Sequence, residues 1–245
     1  MDNQAQTGAS PEHGIGGGAG VQETLEVKCL SKTFKAKAGD VIAVDKVSFE
    51  AHKGEVTVIV GPSGSGKTTL LYLLGSLESP DEGQINTFGE NISASGADLI
   101  RYRRRRVGFV FQFFNLISAL TTLENVMLPM DLQAVPVSKQ RSTAVELLAR
   151  MGIDARLQNA KANKISGGEK QRVAIARAMA NNPDIILADE PTGNLDSATG
   201  RVVVDILVRL AREDNKCVVI VTHDEGILDV ADRSFHMMDG KLTRH

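Results

Sequence analysis

An α/β fold with a largely parallel sheet and an inserted helical subdomain is the architecture this sequence predicts, on three observations. Short apolar runs at Glu55–Val60, Val107–Phe111, Asp184–Ala188 and Cys217–Val221 alternate with helical patterns, as strands buried on both faces of a parallel sheet do. The first of these runs enters a glycine-rich loop and then a helix that begins near Lys67. Between about Phe113 and Ile165 the strand patterns stop and helical spacing takes over.

From the N-terminus, Met1 to about Thr24 is rich in Gly, Gln, Ser and Ala, with Gly16, Gly17 and Gly18 at its centre. Such a segment buries too little apolar surface to offset its ordering entropy, which predicts a disordered tail ahead of one domain over residues 25–245. Leu25–Phe34 and Val41–Glu50 then read as strands of an antiparallel β region, joined across the turn-forming Ala38-Gly39-Asp40. In the helical region, Thr122 and Glu124 open a short helix. A second helix spans Ser138–Met151, with Ala144, Val145, Leu148 and Met151 on one face and Gly152 as its stop. After Asp196 another helix carries Val203, Ile206, Leu207 and Leu210 on one face. No internal repeat is visible.

Composition excludes several functions. With 28 basic and 30 acidic residues among 245, the chain has no global field to attract nucleic acid or anionic lipid. Cys29 and Cys217 form neither a disulfide framework nor a metal pattern with the five histidines, which suits a reducing compartment. No apolar run approaches the roughly 18 residues of a membrane span, and no secretory signal opens the chain. A cytosolic protein that reaches a membrane only through a partner is the expectation.

Three motifs carry chemistry. Gly61-Pro62-Ser63-Gly64-Ser65-Gly66-Lys67-Thr68 fits G-x-x-x-x-G-K-[ST] between a strand and a helix. Its small residues let successive N–H groups converge on phosphate oxygens at a helix N-terminus. Lys67 is then suited to the β- and γ-phosphates and Thr68 to Mg²⁺. Pro183 to Pro191 delivers Asp189 and Glu190 at the C-terminal end of a strand, where open α/β sheets bind ligands. Asp189 suits Mg²⁺ and Glu190 suits the attacking water. Finally, Ser166-Gly167-Gly168-Glu169 opens a helix containing Val173, Ile175, Met179 and Ala180, a second place where N–H groups face an anion.

Taken together, these motifs resemble the ATP-binding-cassette family over about Leu25–Asp239, with the P-loop NTPase core that the family carries. Ser166 to Glu169 resembles its signature loop, Gln112 its glutamine loop, Asn194-Leu195-Asp196 its D-loop, and Thr222-His223-Asp224 its switch histidine. Phe34 stands where an aromatic ring stacks on adenine, although members more often carry Tyr there. The resemblance implies that ATP is held by Phe34, Gly61 to Thr68, Thr69, Gln112 and Asp189. Mg²⁺ would be held by Thr68, Gln112 and Asp189, and catalysis would rest on Glu190, His223, Lys67 and Gln112. Glu169 and Asp196 would also bind nucleotide, and Ser166, Gly167 and Gly168 would contact the γ-phosphate held by a second, head-to-tail copy. Closure around the γ-phosphate would drive an integral membrane permease subunit that docks near the helical subdomain.

The run Asp189 to Asp196, with Leu120 to Val126, looks like one bacterial subgroup, that of lipoprotein-release, macrolide-efflux and cell-division cassettes. Glu169 replaces the family's commoner Gln, as it does in many of that subgroup. An importer ATPase is the nearest rival; importers with a C-terminal regulatory domain are disfavoured because little sequence follows Asp239. A cassette ATPase acting on nucleic acid would draw only on Arg101 to Arg106, which reads as a solvated segment leading into the Val107 strand. A P-loop kinase leaves Ser166 to Glu169 and His223 without a role.

Overall fold

The computed structural model describes residues 24–37 and 39–245. The predicted tail therefore lies outside the described residues except for Thr24, which opens the first strand, and so does Ala38 of the predicted turn.

Two sheets meet around one helix. Strands β1 (Thr24–Phe34) and β2 (Val41–His52) pair antiparallel. Strand β3 (Val56–Val60) is buried at every residue and leads through the glycine-rich loop into α1 (Lys67–Leu74). Strands β4 (Glu82–Thr87) and β5 (Glu90–Asn91) join the first sheet, whose order is β2-β1-β4-β5. Helix α2 (Leu99–Arg106) precedes β6 (Val107–Val110). Helices α3 (Thr122–Asp131), α4 (Val137–Arg150) and α5 (Gly167–Met179) follow before β7 (Ile185–Asp189). The chain closes with α6 (Ser197–Arg212), β8 (Cys217–Thr222), β9 (Arg233–Met238) and β10 (Lys241–Arg244). The second sheet runs β10-β9-β3-β8-β7-β6 and is parallel except for β10.

The continuous apolar strands separate two cores by simple alternation, since successive side chains point to opposite faces. Val56, Val58 and Val60 of β3, with Ile186 and Ala188 of β7, join the core formed with α3 to α6. Ile59 of β3, with Ile185 and Leu187 of β7, joins the core shared with α1 and the antiparallel sheet. The parallel sheet is thus the middle layer, covered on both faces, which is why its strands read as unbroken apolar runs.

Helix starts follow their caps. Thr121 and Glu124 form a reciprocal capping box at α3, one residue before the predicted start. Asp196 accepts from Thr199 N at α6, and Asp98 accepts from Arg101 N at α2. Each places an acceptor on an otherwise orphaned helix N–H.

The basic run is largely exposed and leads into β6, and it is helical. Arg101–Arg106 make up most of α2, with Arg103 to Arg106 in the last turn, where cations sit well against the carbonyl end of a helix. Arg103 donates to Ser76 O at 2.7 Å, and Arg106 pairs with Asp184, so part of the run is used inside the fold.

Candidate active site

The phosphate loop is built by geometry that only glycine accepts at two points. Gly66 has φ +105°, and a Cβ there would lie 2.0 Å from Ala43 O of β2; a Cβ on Gly61 would lie 2.1 Å from Met237 O. The loop therefore lies tight beneath β2 and β9. Phe34 is brought to the same side by register, because it pairs with Val41, two residues before Ala43. Its ring is 39% exposed, with Lys32 Nζ 5.3 Å from its centroid. An exposed aromatic at this position is free to stack on a flat ring.

Within the loop, Lys67 is buried and its Nζ donates to Gly61 O at 2.7 Å and Pro62 O at 3.0 Å. Burial lowers its pKa, opposed by the nearby carboxylates Glu190 and Asp189. Ser65 Oγ is buried in the loop with no hydrogen-bond partner, although buried hydroxyls are nearly always satisfied. Thr68 Oγ1 donates to Asp189 Oδ1 at 3.0 Å. Burial raises the pKa of Asp189, against the Thr68 hydrogen bond. A buried carboxylate beside a hydroxyl is a hard-oxygen pair suited to Mg²⁺, so the residues present fit the metal. Thr69 follows on α1 and is half-buried.

Glu190 stands at the end of β7 with φ +44°, a backbone conformation uncommon for a side chain larger than glycine. Its N–H is fixed by Val221 O at 2.8 Å. Its side chain, only 13% exposed, turns toward the end of β8, where His223 Nδ1 lies 2.9 Å from Oε2. An open cleft of about 510 Å³ lies over this point, lined by Glu190, Gly193, Thr222, His223 and Asp224 among others. Gln112 enters from the loop after β6. A Cβ on Gly193 would sit 3.1 Å from its Nε2, and its carbonyl accepts from Asn194 Nδ2 at 2.8 Å.

Ser166 to Glu169 are placed differently. Ser166 caps α5, and the Glu169 carboxylate accepts from Ser166 N and Oγ at 2.8 Å each, which lowers its pKa. The Glu169 side chain is therefore engaged in a capping box. Gly168 lies against Thr199 of α6 and Gly167 faces Leu195. Among the described residues, no hydrogen bond or ion pair joins residues 166–169 to residues 61–69. Asp196 is likewise occupied as the α6 cap, its pKa lowered by Thr199. One chain thus brings together the phosphate loop, Asp189, Glu190, Gln112 and His223, while the 166–169 segment packs against Leu195 and Thr199.

Three contacts around the site have no sequence signature. Fully buried Gln171 of α5 donates to Pro191 O at 2.7 Å, one residue past Glu190. Arg177 of α5 donates to Phe114 O at 2.8 Å and also to Asn115 O, bracing the segment after Gln112. The Thr222 hydroxyl donates to Glu190 at 2.9 Å. Each joins residues far apart in sequence.

Comparison with known proteins agrees with this geometry. The family model described as ABC transporter matches residues 44–193. The chain is 44% identical to MJ0796, an ABC transporter ATP-binding protein of Methanocaldococcus jannaschii, over 90% of this chain and 95% of that one. It is 43% identical to the lipoprotein-releasing system ATP-binding protein LolD of Bacteroides fragilis, over 89% and 99% of the two chains. The dimeric structure of a post-hydrolysis state of the MJ0796 cassette, bound to ADP and Pi, superposes with a TM-score of 0.82 at 42% identity, covering 90% of this chain and 97% of that one. With a strand-bound phosphate loop, a paired acidic strand end and this likeness over nine-tenths of its length, the chain belongs to the ABC transporter family as an ATP-binding and ATP-hydrolysing subunit.

Proposed function

We propose that two copies of this chain bind Mg²⁺ and ATP head to tail and drive an integral membrane permease of the lipoprotein-release or efflux kind. The observation that carries the reading is the split site. Lys67, Asp189 and Glu190 lie together in one chain, with an open cleft over Glu190, and among the described residues no hydrogen bond joins Ser166, Gly167 or Gly168 of that chain to its own loop. A second copy places those groups over the cleft. Likeness to a cassette solved as a dimer with ADP and Pi supports this arrangement.

In the proposed mechanism, the loop N–H groups and Lys67 hold the phosphates, so Lys67 exchanges its contacts to Gly61 O and Pro62 O for phosphate oxygens. Thr68 and Asp189, with Gln112 at the rim, would hold Mg²⁺, which would supply positive charge against the charge that develops on the phosphates. Glu190 orients the attacking water, and His223 moves from Glu190 toward the γ-phosphate. Phe34 stacks on the adenine, and Asp196 of each copy faces the other.

The membrane partner fits a groove of about 320 Å³ between α2, β6 and α5, where Phe109, Phe111, Pro129 and Leu132 form an apolar floor beside Arg103 and Arg104. Its location beside Arg177 and Asn115 connects it to the Gln112 segment. Among the described residues no helix is long and apolar enough to cross a membrane; the groove, beside the Gln112 segment, is the contact through which the chain would sit on the cytoplasmic face of its membrane partner. The subgroup follows from the likeness to LolD of Bacteroides fragilis.

Leu132 is 60% exposed, so Leu132→Asp is expected to leave folding and ATP binding unchanged, within the ~0.5 kcal/mol usual for surface changes. The same variant is expected to lose co-purification with a co-expressed candidate permease and the ATPase stimulation it gives in proteoliposomes. Unaltered stimulation would remove the groove from the account.

A further inference from the structure

We propose that Thr222 is a positioning residue for ATP hydrolysis: its hydroxyl anchors one carboxylate oxygen of Glu190, so that the other stays free to accept from water when His223 departs. The inference rests on the assignment of Glu190 to the attacking water.

Hydrogen-bond chemistry fixes the direction of the contact. Asp224 N–H donates to Thr222 Oγ1 at 3.0 Å, so the hydroxyl proton is left for Glu190 Oε2, 2.9 Å away. Thr222 is 1% exposed and ends β8, beside the β7 strand that carries Glu190 at its end. Its carbonyl accepts from Gly61 N at 3.3 Å, where the phosphate loop begins. One residue therefore ties the start of the phosphate loop, the Glu190 carboxylate and the turn after the switch histidine.

The two carboxylate oxygens are not equivalent. Oε2 meets the Thr222 hydroxyl, His223 N–H at 3.3 Å and His223 Nδ1 at 2.9 Å. Among the described residues no hydrogen bond reaches Oε1. His223 is an exposed side chain on a loop and is free to swing, whereas Thr222 is locked in the sheet. When His223 turns to the nucleotide, Oε2 keeps the Thr222 hydroxyl and one backbone N–H. The carboxylate then holds its rotamer at the moment Oε1 must point at the water. A group released at that step loses the alignment on which in-line attack depends.

The test is a double-mutant cycle on the full chain, paired by ATP and assayed at saturating protein. Thr222→Val keeps the shape of the side chain and removes the hydroxyl. We expect kcat to fall by roughly tenfold to a hundredfold, the usual effect of misplacing a reacting group by about 1 Å, with KM for ATP within ~3-fold of the parent. In a Glu190→Gln background the same change is expected to cost less than ~2-fold in residual single-turnover rate, because the group it positions is already lost. Thr222→Ser, which keeps the hydroxyl, is expected to restore kcat to within ~3-fold of the parent. Should Val unfold the chain, Thr222→Ala and Thr222→Ser carry the same comparison, with melting temperature as the folding control. Undiminished kcat in Thr222→Val, failure of Ser to rescue, or an equal loss in both backgrounds would overturn the proposal. An active Glu190→Gln chain would overturn the role of Glu190 first and that of Thr222 with it, whereas an inactive Glu190→Gln beside a fully active Thr222→Val overturns Thr222 alone.

Discussion

Glu190→Gln is expected to reduce steady-state ATP turnover by about a hundredfold to ten-thousandfold while ATP binding persists, the range over which a positioned acid–base group contributes. The replacement is nearly isosteric, and an amide oxygen still accepts from the Thr222 hydroxyl and the His223 N–H that now meet Oε2. What it removes is the negative charge, and with it the ability to polarise a water. Glu190 is also one of two carboxylates that favour the charged form of Lys67 against burial. Because the γ-phosphate is no longer removed, the ATP-bound pair accumulates. Single-turnover assays with labelled ATP measure the first effect and size-exclusion chromatography with ATP the second. Turnover within about tenfold of the parent chain would transfer the water-orienting role to another group.

Lys67→Ala is expected to weaken ATP binding by about 2–5 kcal/mol, the usual cost of truncating one member of a buried, hydrogen-bonded charge pair, and to bring turnover below detection. That corresponds to roughly thirtyfold to several-thousandfold in Kd. Lys67 is buried at 6% exposure, and its Nζ already sits against Gly61 O and Pro62 O, so it is positioned before nucleotide arrives. The loop itself does not depend on the side chain. Ser65 N donates to Pro62 O, Gly61 N to Thr222 O, and Gly240 N to Ser65 O. The nucleotide-free melting temperature is therefore expected to change little, and the burial that lowers the Lys67 pKa works in the same direction. Titration calorimetry with ATP, beside a thermal melt, separates lost binding from lost folding.

The strands that could be read in the sequence are those whose burial is two-sided. β3, β7 and β8 are unbroken apolar runs because helices and a second sheet cover both faces. β4, with the sequence EGQINT, and β9, with RSFHMM, lie nearer the rims, carry polar residues and show no such run. Helix α2 was hidden by its own charge: five arginines in eight residues resemble a solvated stretch, and only the Asp98 cap marks a helix. The phosphate loop was legible since its chemistry is local and its spacing is set by backbone N–H groups. Glu169 has a second, local role: Ser166 three residues earlier makes it a capping-box carboxylate. The contacts of Thr222 with Glu190, Gln171 with Pro191 and Arg177 with Phe114 depend on which strands and helices become neighbours, information that no short window of sequence holds.

The central claim, that a complete site needs two chains, is tested most directly by ATP turnover per chain across a dilution series of the parent protein with saturating Mg²⁺ and ATP. The account predicts a specific rate that rises with protein concentration and levels off as pairs form. A specific rate that is constant down to concentrations at which the chain is monomeric by light scattering would contradict it and place a whole site in one copy.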